Sequence, residues 1–378
     1  MLKKYEVSNF KSFKNATVFE LEKTNYKMLS NTNIRGDMLK GIMFVGANAS
    51  GKSNAIMALK FLLDCLFGKN DVNIASYICM FSENPLMSVK YTFDVEGTEI
   101  IYEVSYQRID KSIKETLLID GKQAYWRDGS VAMVCFAEEI FHTDIPSNTL
   151  FLRDIYFNTK FRGNKSLQKW FEFLSNSVYV DLHSTTIVSY KDIDLSLKTY
   201  IEERGPSEIN QFFEEYNFEQ KIEYANIAKG HVIQVESPEK MIFFKRKEID
   251  EPIPYVFESL GNKTLLHILP AFFHCIKHNG ILILDEFSSG FHNDLEELLV
   301  RYFMKKADLS QLIFVTHSTN LLSNSILRPD QIYAVDFGKE GSCIKRFSSE
   351  KPREAQNVEK MYLSGVFSGV PKYEHTIK

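Results

Sequence analysis

The chain has 378 residues, 44% hydrophobic and 13% aromatic, which is enough apolar material for one large domain or two modest ones. A formal net charge of -4 and a pI near 6.2 argue against a globally basic nucleic-acid binder and leave room only for a local basic patch. Five scattered cysteines, Cys65, Cys79, Cys135, Cys275 and Cys343, contain no close pair, so neither a zinc knuckle nor a disulfide framework is indicated and a reducing cytoplasm fits best.

In chain order, the first residues carry two lysines with no apolar run behind them and read as neither a signal peptide nor an anchor. The most apolar windows, Gly280 to Leu284 and Thr264 to Ile276, are far shorter than the roughly 20 residues that span a bilayer, so no membrane role is expected. Alternation predicts strands at Tyr5 to Asn9 and Thr17 to Leu21, and the apolar run Gly41 to Val45 enters a Gly-rich turn. Ile56, Leu59, Leu63 and Leu66 then recur at near-helical spacing, which predicts a helix from about Lys52 to Phe67. Met87 to Val95 and Glu99 to Tyr106 flank the turn Glu96-Gly97-Thr98 as a hairpin, and a short strand at Glu115 to Ile119 precedes Asp120-Gly121.

From about Phe136 to Ala228 the texture becomes polar and aromatic with helical spacing at Phe171, Leu174, Phe212, Phe213 and Tyr216, which predicts a helical insertion. Its acid-rich part, Tyr200 to Glu223, reads as a solvated face. Strand character returns at His231 to Val235 and Met241 to Arg246. A helix follows from about Ser259, with a kink or break expected at Pro270. Then come a strand at Ile281 to Leu284, a helix with Leu295, Leu298, Leu299, Tyr302 and Phe303 on one stripe, and a strand at Leu312 to Val315. Alternating strands and helices predict a largely parallel sheet. The expected division is 1–135 for the first half of an α/β head with a β-rich N-terminal lobe, 136–230 for the helical insertion and 231–378 for the second half.

The strongest motif is Gly46-Ala47-Asn48-Ala49-Ser50-Gly51-Lys52-Ser53, a full phosphate-binding loop between a predicted strand and a predicted helix, with Asn54 next to it. Its glycines let successive N–H groups face phosphates, and the helix start adds a favourable dipole. Lys52 is placed to reach the β and γ phosphates of ATP, and Ser53 to ligate Mg2+. Ile281-Leu282-Ile283-Leu284-Asp285-Glu286 supplies the second anchor: Asp285 for the magnesium ion and Glu286 to position or deprotonate the attacking water. Ser259 and Gly261, in Glu258-Ser259-Leu260-Gly261-Asn262-Lys263, would form a second phosphate cradle for the γ-phosphate held by another subunit, and His317, in Thr316-His317-Ser318, would sense that phosphate.

These motifs, with Phe10-Lys11-Ser12-Phe13 and the tail Asn357-Val358-Glu359-Lys360-Met361-Tyr362-Leu363-Ser364-Gly365, resemble the prokaryotic AAA-type ATPases of the RecF/SMC/OLD group. Within it the chain is most similar to the small stand-alone ATPases of abortive-infection and other anti-phage systems. The resemblance covers residues 1–67 and 254–371 and implies a P-loop, ABC-type ATPase head. It also implies a homodimer or higher oligomer sandwiching two nucleotides, and a separately encoded effector. A RecF-like DNA-maintenance ATPase is the alternative, with Lys245, Arg246 and Lys247 as the candidate phosphate contacts. Three features depart from the pattern. The signature is Ser-Leu-Gly-Asn-Lys, Phe287 to His292 lacks the Asp often found in the dimer-contact loop, and no glutamine loop can be assigned after the first helix.

Overall fold

The computed structural model describes residues 1–136 and 139–370, so the last residues of the expected second half, 371–378, lie outside the described residues. The chain forms two compact units: Met1–Lys191 with Cys275–Ser288 and Asn293–Lys378, and Asp192–His274 with Ser289–His292.

The first unit opens with β1 (Leu2–Ser8), β2 (Thr17–Glu20), the short pair β3 (Ile34–Arg35) and β4 (Met38–Leu39), then β5 (Gly41–Gly46) and α1 (Lys52–Phe67). A meander follows: β6 (Leu86–Val95), β7 (Thr98–Gln107), β8 (Ser112–Ile119), β9 (Lys122–Asp128), β10 (Val131–Val134) and β11 (Ile140–His142). Next come α2 (Phe151–Thr159), α3 (Lys165–Ser175), β12 (Val178–Asp181) and β13 (Thr186–Ser189). The second unit holds α4 (Leu197–Arg204), α5 (Ser207–Glu215), β14 (Gln220–Lys229), β15 (Gln234–Arg246), β16 (Ile249–Pro254) and most of α6 (Leu260–His278). The chain then completes the first unit with β17 (Ile281–Asp285), α7 (Asn293–Lys306), β18 (Gln311–Val315), β19 (Ile332–Gly338), β20 (Gly341–Arg346) and α8 (Val358–Leu363).

Besides the short β3–β4 pair, two large sheets make the first unit. One is antiparallel, ordered β11-β10-β9-β8-β7-β6-β1-β2. Its β6–β7 hairpin closes on Glu96 and Gly97, both at positive φ, where the two-residue turn needs left-handed backbone. The other is ordered β13-β12-β17-β18-β5-β19-β20, with five parallel strands between antiparallel edges. The strands β5, β17 and β18 are buried along their whole length, as parallel strands covered on both faces must be.

Helix α1 lies between these sheets. Ala55, Ile56, Ala58, Leu59, Phe61, Leu62, Leu63, Cys65 and Leu66 are all buried, so the helix is apolar around most of its circumference rather than on one stripe. The antiparallel sheet also grips its backbone: the Tyr5 hydroxyl donates to Ala55 O at 3.2 Å and the Tyr91 hydroxyl to Ala58 O at 2.5 Å.

Residues 136–230, read as helical, hold α2 to α5, and α2 and α3 belong to the first unit. The same stretch also contains β12 and β13 of the parallel-strand sheet and β14 of the second unit. The strand segments expected at His231 to Val235 and Met241 to Arg246 fall largely in one strand, β15, which starts at Gln234 in the antiparallel sheet β14-β15-β16. Ser237-Pro238 lies where the β14 pairing shifts register between Ala225 and Ile227, a place that tolerates a residue without an N–H. Helix α6 runs through Pro270 without a break. Leu265, Leu266, Ile268, Leu269, Ala271 and Phe272 are fully buried around it, and that packing offsets the one helical hydrogen bond that proline removes.

One buried ion pair fixes α2 to the meander. Glu115 and Arg127 are both fully buried and 3.1 Å apart. The Glu115 carboxylate also accepts from Tyr102 Oη (2.6 Å) and from the first N–H groups of α2, Phe151 N (2.7 Å) and Leu152 N (3.3 Å). A carboxylate at a helix N-terminus meets unpaired donors and the positive end of the dipole. Replacing Arg127 by Met leaves this charge buried without its cation, and the expected loss is about 3–5 kcal/mol of unfolding free energy, measured by urea denaturation. The double variant Glu115→Leu/Arg127→Met is expected to recover a substantial part of it.

Candidate functional site

The site begins where the buried strand β5 delivers the chain into a loop that has no room for side chains at two positions. A Cβ on Gly46 would lie 2.3 Å from Val335 O. Gly51 has φ of 103°, and a Cβ there would lie 2.1 Å from Ser342 Oγ and 2.6 Å from Ser12 Oγ. Behind the loop runs a chain of donors. Asn54 Nδ2 donates to Ser12 Oγ (2.8 Å), Ser12 Oγ lies 2.7 Å from Ser342 Oγ, and Ser342 Oγ donates to Ser50 O (2.7 Å). The N-terminal Phe10-Lys11-Ser12-Phe13 segment thus braces the loop from the rear through Ser12, and Ser342 at the start of β20 completes the brace. No sequence motif flags Ser342, because it lies hundreds of residues from the loop it supports.

Lys52 opens α1 and folds back over the loop, its Nζ donating to Gly46 O (3.1 Å) and Ala47 O (2.8 Å). Burial lowers its pKa from the ordinary value, while the charges of Glu286 and Asp285 pull it upward. Ser53 Oγ donates to Asp285 Oδ1 at 2.8 Å. Asp285 ends β17, and burial holds its carboxyl above the ordinary value, partly offset by the Ser53 hydrogen bond. Ser53 and Asp285 are hard oxygen donors side by side, a donor set suited to a magnesium ion that keeps most of its own waters.

Glu286 follows in left-handed backbone, φ 54°, an uncommon conformation for a residue with a side chain. The strain is held by the next residue, whose N–H donates to Val315 O at 2.9 Å, and by the fully buried Phe287 ring against Phe314. Glu286 Oε2 stands 3.6 Å from His317 Nε2. Burial and the nearby Lys52 charge keep the His317 pKa below its ordinary value, so the ring is neutral at pH 7. His317 N in turn donates to Ser288 Oγ at 3.3 Å, tying the two strand ends together.

The residues expected from three distant motifs therefore converge. Strands β5, β17 and β18 are neighbours in the sheet, all parallel, and their carboxyl ends carry the Gly46–Ser53 loop, Asp285-Glu286 and Thr316-His317. Ligands of open α/β sheets bind at that end of the strands.

Ser259 and Gly261 belong to the second unit, at the start of α6. Ser259 is exposed and its Oγ accepts from Asn262 N at 3.3 Å, while its own N–H donates to Glu258 Oε1 at 2.7 Å. Glu258 is held by a two-oxygen contact from Arg246, at 2.9 and 3.1 Å. Within the same unit Gly290, at φ 91°, packs so closely that its added Cβ would lie 3.2 Å from Thr264 Oγ1, and a Cβ on Gly261 would lie 3.3 Å from Gly290 O. The Phe287 to His292 loop lacks an Asp, and it meets the signature through small backbone at Gly290.

One buried acid beside the site belongs to none of these motifs. Glu296 of α7 is 1% exposed, bonds Ser318 next to His317, and leaves Oε2 without a hydrogen-bond partner among the described residues. Burial raises its pKa from 4.5 to about 6. A carboxyl raised on folding contributes stability that is complete below pH 4.5 and is lost as pH rises through about 6. Glu296→Gln removes that loss, so the variant is expected to gain about 1–2 kcal/mol over the parent above pH 6.5 and nothing at pH 4, read from denaturant melts across that range.

Residues 152–323 match the family model described as "AAA domain, putative AbiEii toxin, Type IV TA system". The chain is similar to the SMC head domain from Thermotoga maritima, with a TM-score of 0.51 and 17% identity over 91% of this chain and 97% of that one. It is similar to the Smc head bound to the C-winged helix domain of ScpA at the same TM-score, 0.51, and 17% identity, over 91% of this chain and 96% of that one. No curated protein sequence matches it. No helix among the described residues is long and apolar enough to cross a membrane. The chain thus has a mixed α/β fold resembling the SMC head domain, and its residues 152–323 match the AAA-domain family model.

Proposed function

We propose that the protein binds and hydrolyses ATP with magnesium, and that it works as a nucleotide-switched dimer in an anti-phage, abortive-infection type of system. The observation that carries the catalytic part is the convergence of Lys52, Ser53, Asp285, Glu286 and His317 on the ends of three adjacent parallel strands. Residues Gly46 to Asn54 cradle the phosphates with backbone N–H groups, and Lys52 leaves the carbonyls of Gly46 and Ala47 to meet the β and γ oxygens. Ser53 and Asp285 hold the magnesium ion, which when bound neutralises charge building up on the phosphoryl oxygens. Glu286 orients the attacking water and accepts its proton, and neutral His317 donates from the γ-phosphate side. As the water oxygen bonds to the γ phosphorus, the bond to the ADP oxygen breaks.

Ser259 and Gly261 supply the second cradle, to the nucleotide held by another copy of the chain. An ATP-bound dimer then differs in shape from the nucleotide-free chain, and a separately encoded effector reads that difference. The toxin description attached to the matching family model supports this setting. The DNA-binding alternative loses support at its own residues: Lys245 is paired with Glu223 at 2.8 Å and Arg246 with Glu258 at 2.9 Å.

Lys52→Ala is expected to weaken ATP binding by at least about 10- to 100-fold, the loss of a charge-assisted contact to phosphate, in a titration with a fluorescent ATP analogue. Unchanged affinity would remove Lys52 from the site. Glu286→Gln keeps the shape of the side chain and removes the base, so hydrolysis is expected to fall by about 10²- to 10⁴-fold while ATP still binds. Unhydrolysed ATP should then accumulate a larger assembly in light scattering, and adding Ser259→Arg should abolish it. Equal assembly in the single and double variants would rule out the second cradle.

A further inference from the structure

The motifs account for one oxygen of Asp285 and leave the other open. Oδ1 accepts from Ser53 Oγ at 2.8 Å and from Glu286 N at 3.1 Å. Oδ2 faces the hydroxyl of Tyr179, 3.5 Å away. Tyr179 is a buried residue of β12, in register with Ile283 on β17, so the strand pairing itself brings the phenol to Asp285. The ring of Tyr179 lies under the ammonium of Lys60, whose Nζ is 5.1 Å from the ring centroid. Lys60 Nζ donates to Asp64 Oδ2 at 2.5 Å, and Asp64 Oδ1 accepts from the Tyr190 hydroxyl at 2.8 Å. Lys60 and Asp64 sit on α1, the helix that begins with Lys52 and Ser53. Tyr190 is the last residue but one before the chain leaves the first unit at Lys191.

The contact lengths separate fixed parts from movable ones. O–H donors to oxygen usually stand about 2.5–3.0 Å from it. The polar links between Lys60 and Tyr190 are 2.5 and 2.8 Å, whereas the Tyr179–Asp285 contact, at 3.5 Å, lies beyond that range. It is the weakest contact in the set and so the one that changes at least cost. A hydrogen bond from the phenol to Oδ2 orients the carboxylate that presents Oδ1 to a divalent cation, so phenol and cation favour one another, and the ring draws away from Lys60 toward Oδ2 when the cation binds.

We propose that Tyr179 is a positioning residue for Asp285, and that Tyr179, Lys60, Asp64 and Tyr190 form a relay carrying divalent-cation occupancy at Asp285 to the point where the chain leaves the first unit. This rests on the reading of Asp285 as a magnesium ligand in a nucleotide site. A purely structural cluster would stabilise the fold equally with and without the cation; the relay responds to it.

The test is the magnesium dependence of nucleotide binding, measured on the full chain with a fluorescent ATP analogue in EDTA and across a Mg2+ titration. Tyr179→Phe is expected to leave affinity in EDTA unchanged and to raise the Mg2+ concentration for half-maximal effect by about three- to tenfold, as for loss of one hydrogen bond to a charged group. Lys60→Met, which keeps the hydroxyl and removes the cation over the ring, is expected to shift the same midpoint by a smaller factor, and it also serves if Tyr179→Phe does not fold. Hydrogen exchange across 186–191 should slow when Mg2+ and nucleotide are added to the parent and respond less in Tyr190→Phe. An unchanged Mg2+ midpoint in folded Tyr179→Phe, or in Lys60→Met if the former is unfolded, overturns the positioning role. A shifted midpoint with no magnesium-linked exchange change at 186–191 overturns the relay. If the parent chain binds no nucleotide in either condition, the nucleotide-site reading itself has failed, and this inference falls with it.

Discussion

The site depends on a shortage of space at Gly51. The backbone there is left-handed, and the volume a side chain would fill is taken by Ser12 Oγ and Ser342 Oγ. Only glycine meets both conditions without strain. Because Ser12 comes from the first residues and Ser342 from the last strand of the sheet, the loop takes its shape only after both ends of the chain have closed on it. Ser342 N also donates to Ser12 O at 2.7 Å, so the two supports are bonded to each other as well as to the loop. A phosphate cradle must be rigid before the ligand arrives if its N–H groups are to act as a preorganised anion site.

The same demand explains why α1 is buried on nearly every side. A helix on the surface of a sheet would show one apolar stripe, but α1 is enclosed between two sheets, and Tyr5 and Tyr91 tie its backbone to the antiparallel one. The antiparallel sheet therefore fixes the helix that carries Lys52 and Ser53 from the side opposite the parallel strands. Its own anchoring to α2 through Glu115 and Arg127 is a buried charge network whose value lies in having every member paired.

The sequence made the strand-loop-helix unit at Gly41 to Phe67 legible because its signals are continuous and local: an apolar run, two glycines, a lysine and a helical period. Asp285-Glu286 and His317 were legible for the same reason, each sitting at the end of a short apolar run that became β17 or β18. What stayed hidden works across long separations. Tyr179 reaches Asp285 through the pairing of β12 with β17, and Val178-Tyr179-Val180-Asp181 is too short a run to announce a strand inside a stretch of helical texture. Ser342 and Glu296 are ordinary residue types whose meaning comes from burial alone. Residues 220–254 were only partly readable, because Ser237-Pro238 interrupts the pattern of what is one strand, opposite a shift in register.

The electrostatics of the site are unbalanced in a way that fits the proposed ligand. Burial lowers the pKa of Lys52 and raises that of Asp285, so each charged form is disfavoured where it stands. Lys52 has the two carbonyls of Gly46 and Ala47 as hydrogen-bond acceptors in the loop, and the charges of Glu286 and Asp285 offset only part of what burial costs it. Asp285 has hydroxyl and amide donors but no cation bonded to it. A simple anion would satisfy Lys52 and aggravate Asp285, and a free cation would do the reverse. The proposed ligand carries both signs in the right order, phosphate oxygens toward the loop and a divalent cation toward Ser53 and Asp285, and would relieve both at once. His317 stays neutral through the combined effect of burial and Lys52, and so adds no second cation to compete with the one at Asp285. The site is thus built from a loop whose shape the packing at Gly51 fixes and from two groups, Lys52 and Asp285, whose charges burial disfavours.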